Sequence, residues 1–123
     1  MKFVRFVSTT HPEGVYGLVN AASAVEVLEG GLFDAPVTTG EVLAESDIVR
    51  YLPPVSPPNI LAIGRNYKEH AAETSDDLPT APLLFIKATT SLIAHGENIV
   101  IPKAPPSQLD HEAELVALIG RKA

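Results

Sequence analysis

The first fifty residues alternate between apolar and polar side chains in short stretches that proline and glycine interrupt. In KFVRFVS (2–8) the apolar positions recur as in a half-buried β-strand. VYGLVN (15–20) predicts a second strand, and AVEVLEG (24–30) predicts a third strand or a short helix. Residues 36–53 predict a short helix followed by an extended exit. Residues 1–54 are therefore predicted to form a small β-rich domain.

A proline-rich stretch, PPVSPPN (53–59), follows this region. Closely spaced prolines make the backbone extended and stiff, which is typical of a connector. We therefore predict a second domain over residues 55–123, in which short strand signals alternate with loops. The pattern predicts strands in ILAIG (60–64), LLFIKATT (83–90) and LDHEAELVALIG (109–120). It also predicts a strand–turn–strand in SLIAHGENIVIP (91–102) and a short helix in NYKEHAAET (66–74).

Composition and charge narrow the classes of function. The 123 residues suffice for about one ordinary domain, and a net charge of −6 lacks the basic surface that nucleic-acid binding needs. The absence of cysteine excludes disulfides, thiolate metal sites and cysteine catalysis. No apolar run reaches the ~18 residues of a membrane span, and the N-terminus lacks the apolar core of a secretion signal. We therefore expect a cytoplasmic globular protein that binds neither nucleic acid nor a membrane.

Two glutamates, Glu112 and Glu114, lie two positions apart in the predicted strand 109–120. Side chains at positions i and i+2 of a strand share a face, so both carboxylates could converge on one divalent cation such as Mg²⁺, Mn²⁺ or Ca²⁺. A solvated strand end is the open alternative. Asp110 shares this face and could join the cluster or serve the turn before the strand, whereas His111 points to the opposite face.

Three further side chains are candidates for chemistry in the second domain. In a helix, His70 and Glu73 are three positions apart and can touch, so the carboxylate could orient the imidazole for proton transfer. An ordinary exposed ion pair is the alternative. Lys87 is a lone cation in an apolar run, which suits either binding of an anionic substrate or a simple strand edge. His11 and His95 lie in predicted turns and receive no role.

Three segments in this order, NILAIGRNYKEHAAE, PLLFIKATTSLIAHGENIVIP and LDHEAELVALIGRKA, resemble the start of the catalytic domain of the fumarylacetoacetate hydrolase family. The resemblance covers residues 57–123, and the β-rich segment before it resembles an N-terminal extension found in many members. It implies that Glu112 and Glu114 bind Mg²⁺ or Mn²⁺, that His70 and Glu73 form a proton-transfer dyad, and that Lys87 lies at the active site. The family often has Lys-Pro where this chain has Lys87-Ala88.

The resemblance also implies a fold and a reaction class. The fold is α+β but mainly β, with the mixed β-sheet roll of this family, and the complete protein is expected to be a homodimer. The substrates are 2-oxo acids, whose carbon–carbon bond is hydrolysed or which are decarboxylated, isomerised or hydrated. The metal chelates the 2-oxo-carboxylate and stabilises the developing enolate.

The chain departs from the family in its extent. Family members continue well beyond GRKA, and the continuation supplies a third metal ligand, further strands and most of the substrate pocket. We therefore expect the chain to be the first part of such an enzyme, with exposed apolar strands and a tendency to self-associate. The competing hypothesis is a catalytically inactive fragment that only associates with a partner chain. A calcium-binding structural module is less favoured because no dedicated calcium loop is visible.

Overall fold

The N-terminal part of the chain folds as a five-stranded antiparallel sheet. The computed structural model describes residues 1–67, 79–103 and 109–121. The sheet runs in the order β4-β3-β2-β1-β5, so that β1 to β4 pair as successive hairpins and β5 pairs with the other side of β1. Its strands are β1 (Lys2–Ser8), β2 (Val15–Val19), β3 (Val25–Glu29), β4 (Val37–Leu43) and β5 (Ile48–Leu52).

The core of this sheet forms around Phe6 of β1. Phe6 is fully buried, and Val25 and Val27 of β3 are only 1% exposed. Because successive side chains of a strand point to opposite faces, the alternation in β1 and β3 places these three on the same side of the sheet. Burying each such side chain stabilises the fold by roughly 1.5–3 kcal/mol. Half-buried apolar side chains surround them, namely Val4, Val15, Val19, Leu43, Ile48 and Tyr51.

The β2–β3 turn is built around the side chain of Asn20. Its Oδ1 accepts hydrogen bonds from the backbone N–H groups of Ala22 (2.9 Å) and Ala24 (3.1 Å). Ser23 has a φ of 63°, in the left-handed region that non-glycine residues rarely adopt. The asparagine amide therefore satisfies two further backbone donors of a turn that is also closed by backbone hydrogen bonds from Asn20 N to Ala24 O (2.9 Å) and from Ser23 N to Asn20 O (3.1 Å).

The prediction for residues 36–53 was only partly right. The extended exit is β5, but the expected helix is reduced to a three-residue 3₁₀ helix, Glu45–Asp47, and β4 was missed. Gly40 in the middle of β4 has a φ of +86°, and the β3–β4 register shifts nearby. This irregularity breaks the two-residue alternation by which a strand is recognised in a sequence.

Residues Val55–Ile93 form a second compact unit, whereas residues 94–123 group with the N-terminal sheet. Strands β6 (Ile60–Gly64) and β7 (Leu83–Lys87) pair antiparallel and confirm two of the predicted strands. A short 3₁₀ helix, Thr89–Ser91, follows β7. The assignment of residues 1–54 and 55–123 to two domains stays a prediction.

Two other strand predictions were wrong. Residues 92–103 contain a turn near His95-Gly96 but no strand, and residues 109–121 contain no regular secondary structure. A strand needs a neighbour whose backbone groups complete its ladder, and within the described residues neither segment belongs to a ladder. The β-rich character is confirmed, since two antiparallel sheets dominate the part that the structure describes. The mixed-sheet roll stays a prediction, and the expected helix at 66–74 lies largely outside the described residues.

The described residues include no helix that is long and apolar enough to cross a membrane.

Candidate active site

Lys87 lies at the end of β7, directly opposite Ile60 in the β6–β7 register. Its Nζ sits 6.0 Å from the centre of the Phe85 ring, two residues earlier on the same face of the hairpin. This distance is at the outer limit of a cation–π contact. The lysine is exposed, so its charge is available to solvent and to an anionic ligand.

The motif that contains His70 and Glu73 begins at the opposite end of the hairpin. Gly64 pairs with Leu83, four positions along β6 from the Lys87 pair, which corresponds to roughly 13 Å along the strands. Arg65 follows with a left-handed φ of 54°, which turns the chain sharply out of the sheet. His70 and Glu73 themselves lie outside the described residues, so the dyad stays a prediction.

Glu112 and Glu114 lie in an irregular, exposed segment that runs from residue 109 to residue 121. Both carboxylates share one face only in a regular strand, and residues 109–121 do not form one. What remains is their spacing of two residues and their exposure to solvent. Asp110 and His111 lie in the same exposed segment, and without a strand their side chains are not assigned to the same face as the glutamates or to the opposite one.

The chemistry of these donors suits a hard divalent cation, because carboxylate oxygens are the preferred protein ligands of Mg²⁺ and Mn²⁺. Within residues 1–67, 79–103 and 109–121, however, no group of three or more potential ligands is close enough to hold a metal ion. Glu112 and Glu114 therefore have the donor type that such a cation prefers, and their binding of one metal ion stays a prediction.

Two groups of contacts that involve the N-terminal sheet were not predicted, and the first is polar. His11 Nε2 lies 3.0 Å from Oε2 of Glu41, and Thr10 Oγ1 donates a 3.3 Å hydrogen bond to the other carboxylate oxygen. These contacts connect the turn after β1 to β4, so they are structural. The residues are thirty or more positions apart, and no local pattern in the sequence could have revealed the pairing.

The second group of contacts joins β5 to the turn at residues 94–97. The rings of Tyr51 and His95 pack edge to face with their centres 5.5 Å apart, beside an open cavity of about 440 Å³. The Tyr51 hydroxyl donates to Glu45 Oε1 at 3.3 Å. Partial burial, and then the nearby Glu45 carboxylate, raise the pKa of Tyr51 above its usual value. Tyr51 therefore stays neutral and remains a hydrogen-bond donor in ordinary buffers.

Comparison with family models divides the chain at the proline-rich stretch. Residues 59–123 match the model described as "Fumarylacetoacetate (FAA) hydrolase C-terminal", and residues 1–54 match the model "Rv2993c-like, N-terminal". The first match covers more than half of the chain and includes Lys87, both glutamates and the His70–Glu73 motif.

Curated relatives agree with this assignment. An uncharacterised protein of Archaeoglobus fulgidus is 41% identical over 72 residues, which is 58% of this chain and 28% of that protein. The mitochondrial oxaloacetate tautomerase FAHD1 of Arabidopsis thaliana is 44% identical over 64 residues, 52% of this chain and 28% of the relative. The matches thus span less than a third of the length of these relatives.

Solved structures show a similar fold. An uncharacterised protein from Mycobacterium abscessus aligns with a TM-score of 0.57 at 30% identity, over 74% of this chain and 34% of its own. The protein Cg1458 aligns with a TM-score of 0.55 at 29% identity, over 74% and 33%. The family model over residues 59–123, with the mitochondrial oxaloacetate tautomerase among the relatives, shows that the chain belongs to the fumarylacetoacetate hydrolase family, of whose members it matches the N-terminal portion.

Proposed function

We propose that this chain contributes to a divalent-metal-dependent enzyme that acts on 2-oxo acids. The observation that carries the proposal is the family match over residues 59–123, which contains every candidate site residue. Among the reactions of the family, keto–enol isomerisation of oxaloacetate is the first to test, because the Arabidopsis relative is named for it. Hydrolysis of the carbon–carbon bond of an acylpyruvate is the second.

Glu112 and Glu114 would hold Mg²⁺ or Mn²⁺ through their carboxylate oxygens. The bound cation would polarise the oxygens of the 2-oxo-carboxylate as a Lewis acid. Both glutamates are exposed, so a hydrated cation and a small substrate could reach them from solvent.

His70 and Glu73 would move the proton in this proposal. Glu73 would orient the imidazole, and His70 would remove a proton from the carbon next to the ketone or from an attacking water molecule. In the isomerisation a proton then reaches the ketone oxygen, so that the substrate neither gains nor loses atoms. Lys87, exposed at the end of β7, would bind a substrate carboxylate.

Metal binding and turnover test these roles separately. Mn²⁺ titration of the 123-residue chain should show binding that weakens roughly tenfold or more in Glu112→Gln and in Glu114→Gln, because each change removes a charged ligand. Glu13→Gln, which removes an exposed carboxylate from the turn between β1 and β2, is the matched control. His70→Ala should leave Mn²⁺ affinity unchanged and slow the isomerisation of oxaloacetate by about 10²–10⁴-fold. Equal metal affinity in all the glutamate variants would refute the assignment.

The second candidate is a chain without activity of its own that associates with a partner polypeptide. The exposed β6–β7 hairpin and the limited coverage of the relatives favour it. The chain would be assayed with oxaloacetate alone and after addition of a polypeptide that corresponds to the unmatched part of a relative. Turnover that appears only in the mixture supports association, whereas turnover by the chain alone excludes an inactive role.

A further inference from the structure

The segment that carries Glu112 and Glu114 contacts the N-terminal sheet at Gly120. A Cβ atom placed on Gly120 would lie 2.6 Å from Cε1 of the Phe33 ring and closer still to two other ring atoms. Real Cβ atoms do not approach other atoms so closely, so a side chain at position 120 would displace the ring. Glycine therefore permits a contact between two residues that are far apart in the sequence.

Arg121, the next residue, contacts the backbone of the β3–β4 connection in which Phe33 lies. Arg121 Nη2 donates a 3.1 Å hydrogen bond to the backbone carbonyl of Phe33. Gly120 thus lies against the Phe33 ring, while Arg121 binds the carbonyl oxygen of Phe33. A ring contact and a directional hydrogen bond at adjacent positions define one docking geometry better than either does alone.

The loop that receives these contacts is tied to the best-packed part of the sheet. Phe33 lies in the connection between β3 and β4, which is closed by a 3.0 Å hydrogen bond from Asp34 N to Gly31 O. In β3, Val25 and Val27 are buried in the core. The loop is therefore fixed to a rigid element, although Phe33 itself is 38% exposed.

The chain that follows the second unit also contacts the sheet at residues 94–97. Ala94 is 7% exposed, and the His95 ring packs against Tyr51 of β5. The turn is closed by a 2.8 Å hydrogen bond from Ala94 N to Glu97 Oε2 and a 3.2 Å bond from Glu97 N to Ala94 O. The N-terminal sheet therefore makes defined contacts both before and after the two glutamates in the sequence.

We propose that Phe33, Gly120 and Arg121 are positioning residues, through which the N-terminal sheet fixes the backbone that carries Glu112 and Glu114. The inference rests on the proposed metal-binding role of these glutamates. Residues 109–121 lack a strand ladder, so the contact at Gly120 supplies an order that hydrogen bonding to a neighbouring strand would otherwise give. Two carboxylates bind one cation more tightly when the backbone between them is already ordered.

The absence of native cysteines allows a direct test by disulfide trapping. Mild oxidation of the variant Phe33→Cys/Gly120→Cys should produce an intramolecular disulfide in most molecules, detected as a mass decrease of two hydrogens. Phe33→Cys/Val116→Cys is the matched control, because Val116 is exposed in the same segment and four residues before Gly120. Disulfide formation no greater than in the control would overturn the contact.

Mn²⁺ affinity then tests the positioning role. Gly120→Val should weaken Mn²⁺ binding severalfold, and Phe33→Ala/Gly120→Val should recover part of it because the smaller side chain makes room. The oxidised double-cysteine variant should bind at least as tightly as the wild type. Unchanged affinity in Gly120→Val, in a protein where Glu112→Gln does weaken binding, would overturn the role. Binding insensitive to Glu112→Gln would refute the metal assignment and the positioning role with it, while disulfide formation would still decide the contact.

Discussion

Gly17 in the middle of β2 allows the closest packing in the N-terminal core. A Cβ atom at this position would lie 2.8 Å from Cε1 of Phe6 and closer still to Cγ1 of Val25. Both neighbours are buried, so neither can move aside without disturbing the rest of the core. The glycine is required here by space, not by an unusual backbone conformation.

We therefore predict that Gly17→Ala lowers the free energy of unfolding by about 1–3 kcal/mol, as an overpacked core does. Chemical denaturation followed by circular dichroism would measure the change. Gly31→Ala is the control, because the nearest atom there is Oδ2 at the end of the flexible Asp34 side chain, which can turn away. A stability loss of the same size in both variants would contradict the packing argument.

At the same scale, the sequence could identify chemical groups but not their neighbours. Glu112 and Glu114 could be recognised because carboxylates two residues apart in an apolar stretch are unusual. The contact between Phe33 and Gly120 could not, since it depends on two segments meeting across 87 positions. The pairing of His11 with Glu41 was missed for the same reason.

The β2–β3 hairpin depends on the Asn20 amide, which accepts from two backbone N–H groups of the turn. We predict that Asn20→Ala lowers the free energy of unfolding by about 1–2 kcal/mol, because the change removes both hydrogen bonds. Thermal unfolding measures the difference. Asn20→Asp keeps an acceptor oxygen at the same place and should remain close to the wild type. An Asn20→Ala protein as stable as wild type would show that water replaces the side chain without loss.

Among the elements, those with simple alternation or a short apolar run bounded by turns were predicted correctly, as in β1, β2, β6 and β7. β4 was missed because Gly40 and the register shift interrupt its pattern. The opposite error occurred at residues 109–120, where an apolar run alone suggested a strand. β-propensity describes which segments can form a strand. A strand also needs a neighbouring strand to pair with, and a local sequence pattern does not show whether one is present.

At the scale of the whole molecule, one face of the β6–β7 hairpin presents apolar side chains to solvent. We call this surface the apolar face. Its two cross-strand pairs are Leu61 with Ile86 and Ile63 with Leu84, and three of these four side chains are more than 60% exposed. A two-stranded hairpin is only marginally stable by itself in water, and contiguous apolar area of this kind promotes association.

We predict that the isolated 123-residue chain self-associates at micromolar concentrations and binds a hydrophobic dye. Leu61→Glu/Ile86→Lys, which places opposite charges at one cross-strand pair, should reduce both effects while retaining the pairing. Val49→Lys is the control, because Val49 is 63% exposed but lies in the N-terminal sheet. Sedimentation velocity would decide the question, and a concentration-independent monomer of the wild-type chain would contradict the prediction.

The order of the five-stranded sheet has a consequence for its formation. β1 to β4 meet their neighbours through short hairpin connections, and only the β1–β5 ladder joins residues from the two ends of the N-terminal region, as in the pair Arg5 and Leu52. The entropy lost in closing a long loop therefore falls almost entirely on the docking of β5. Because Tyr51 and Ile48 of β5 pack against the core, that single ladder converts a local meander into a cooperative unit.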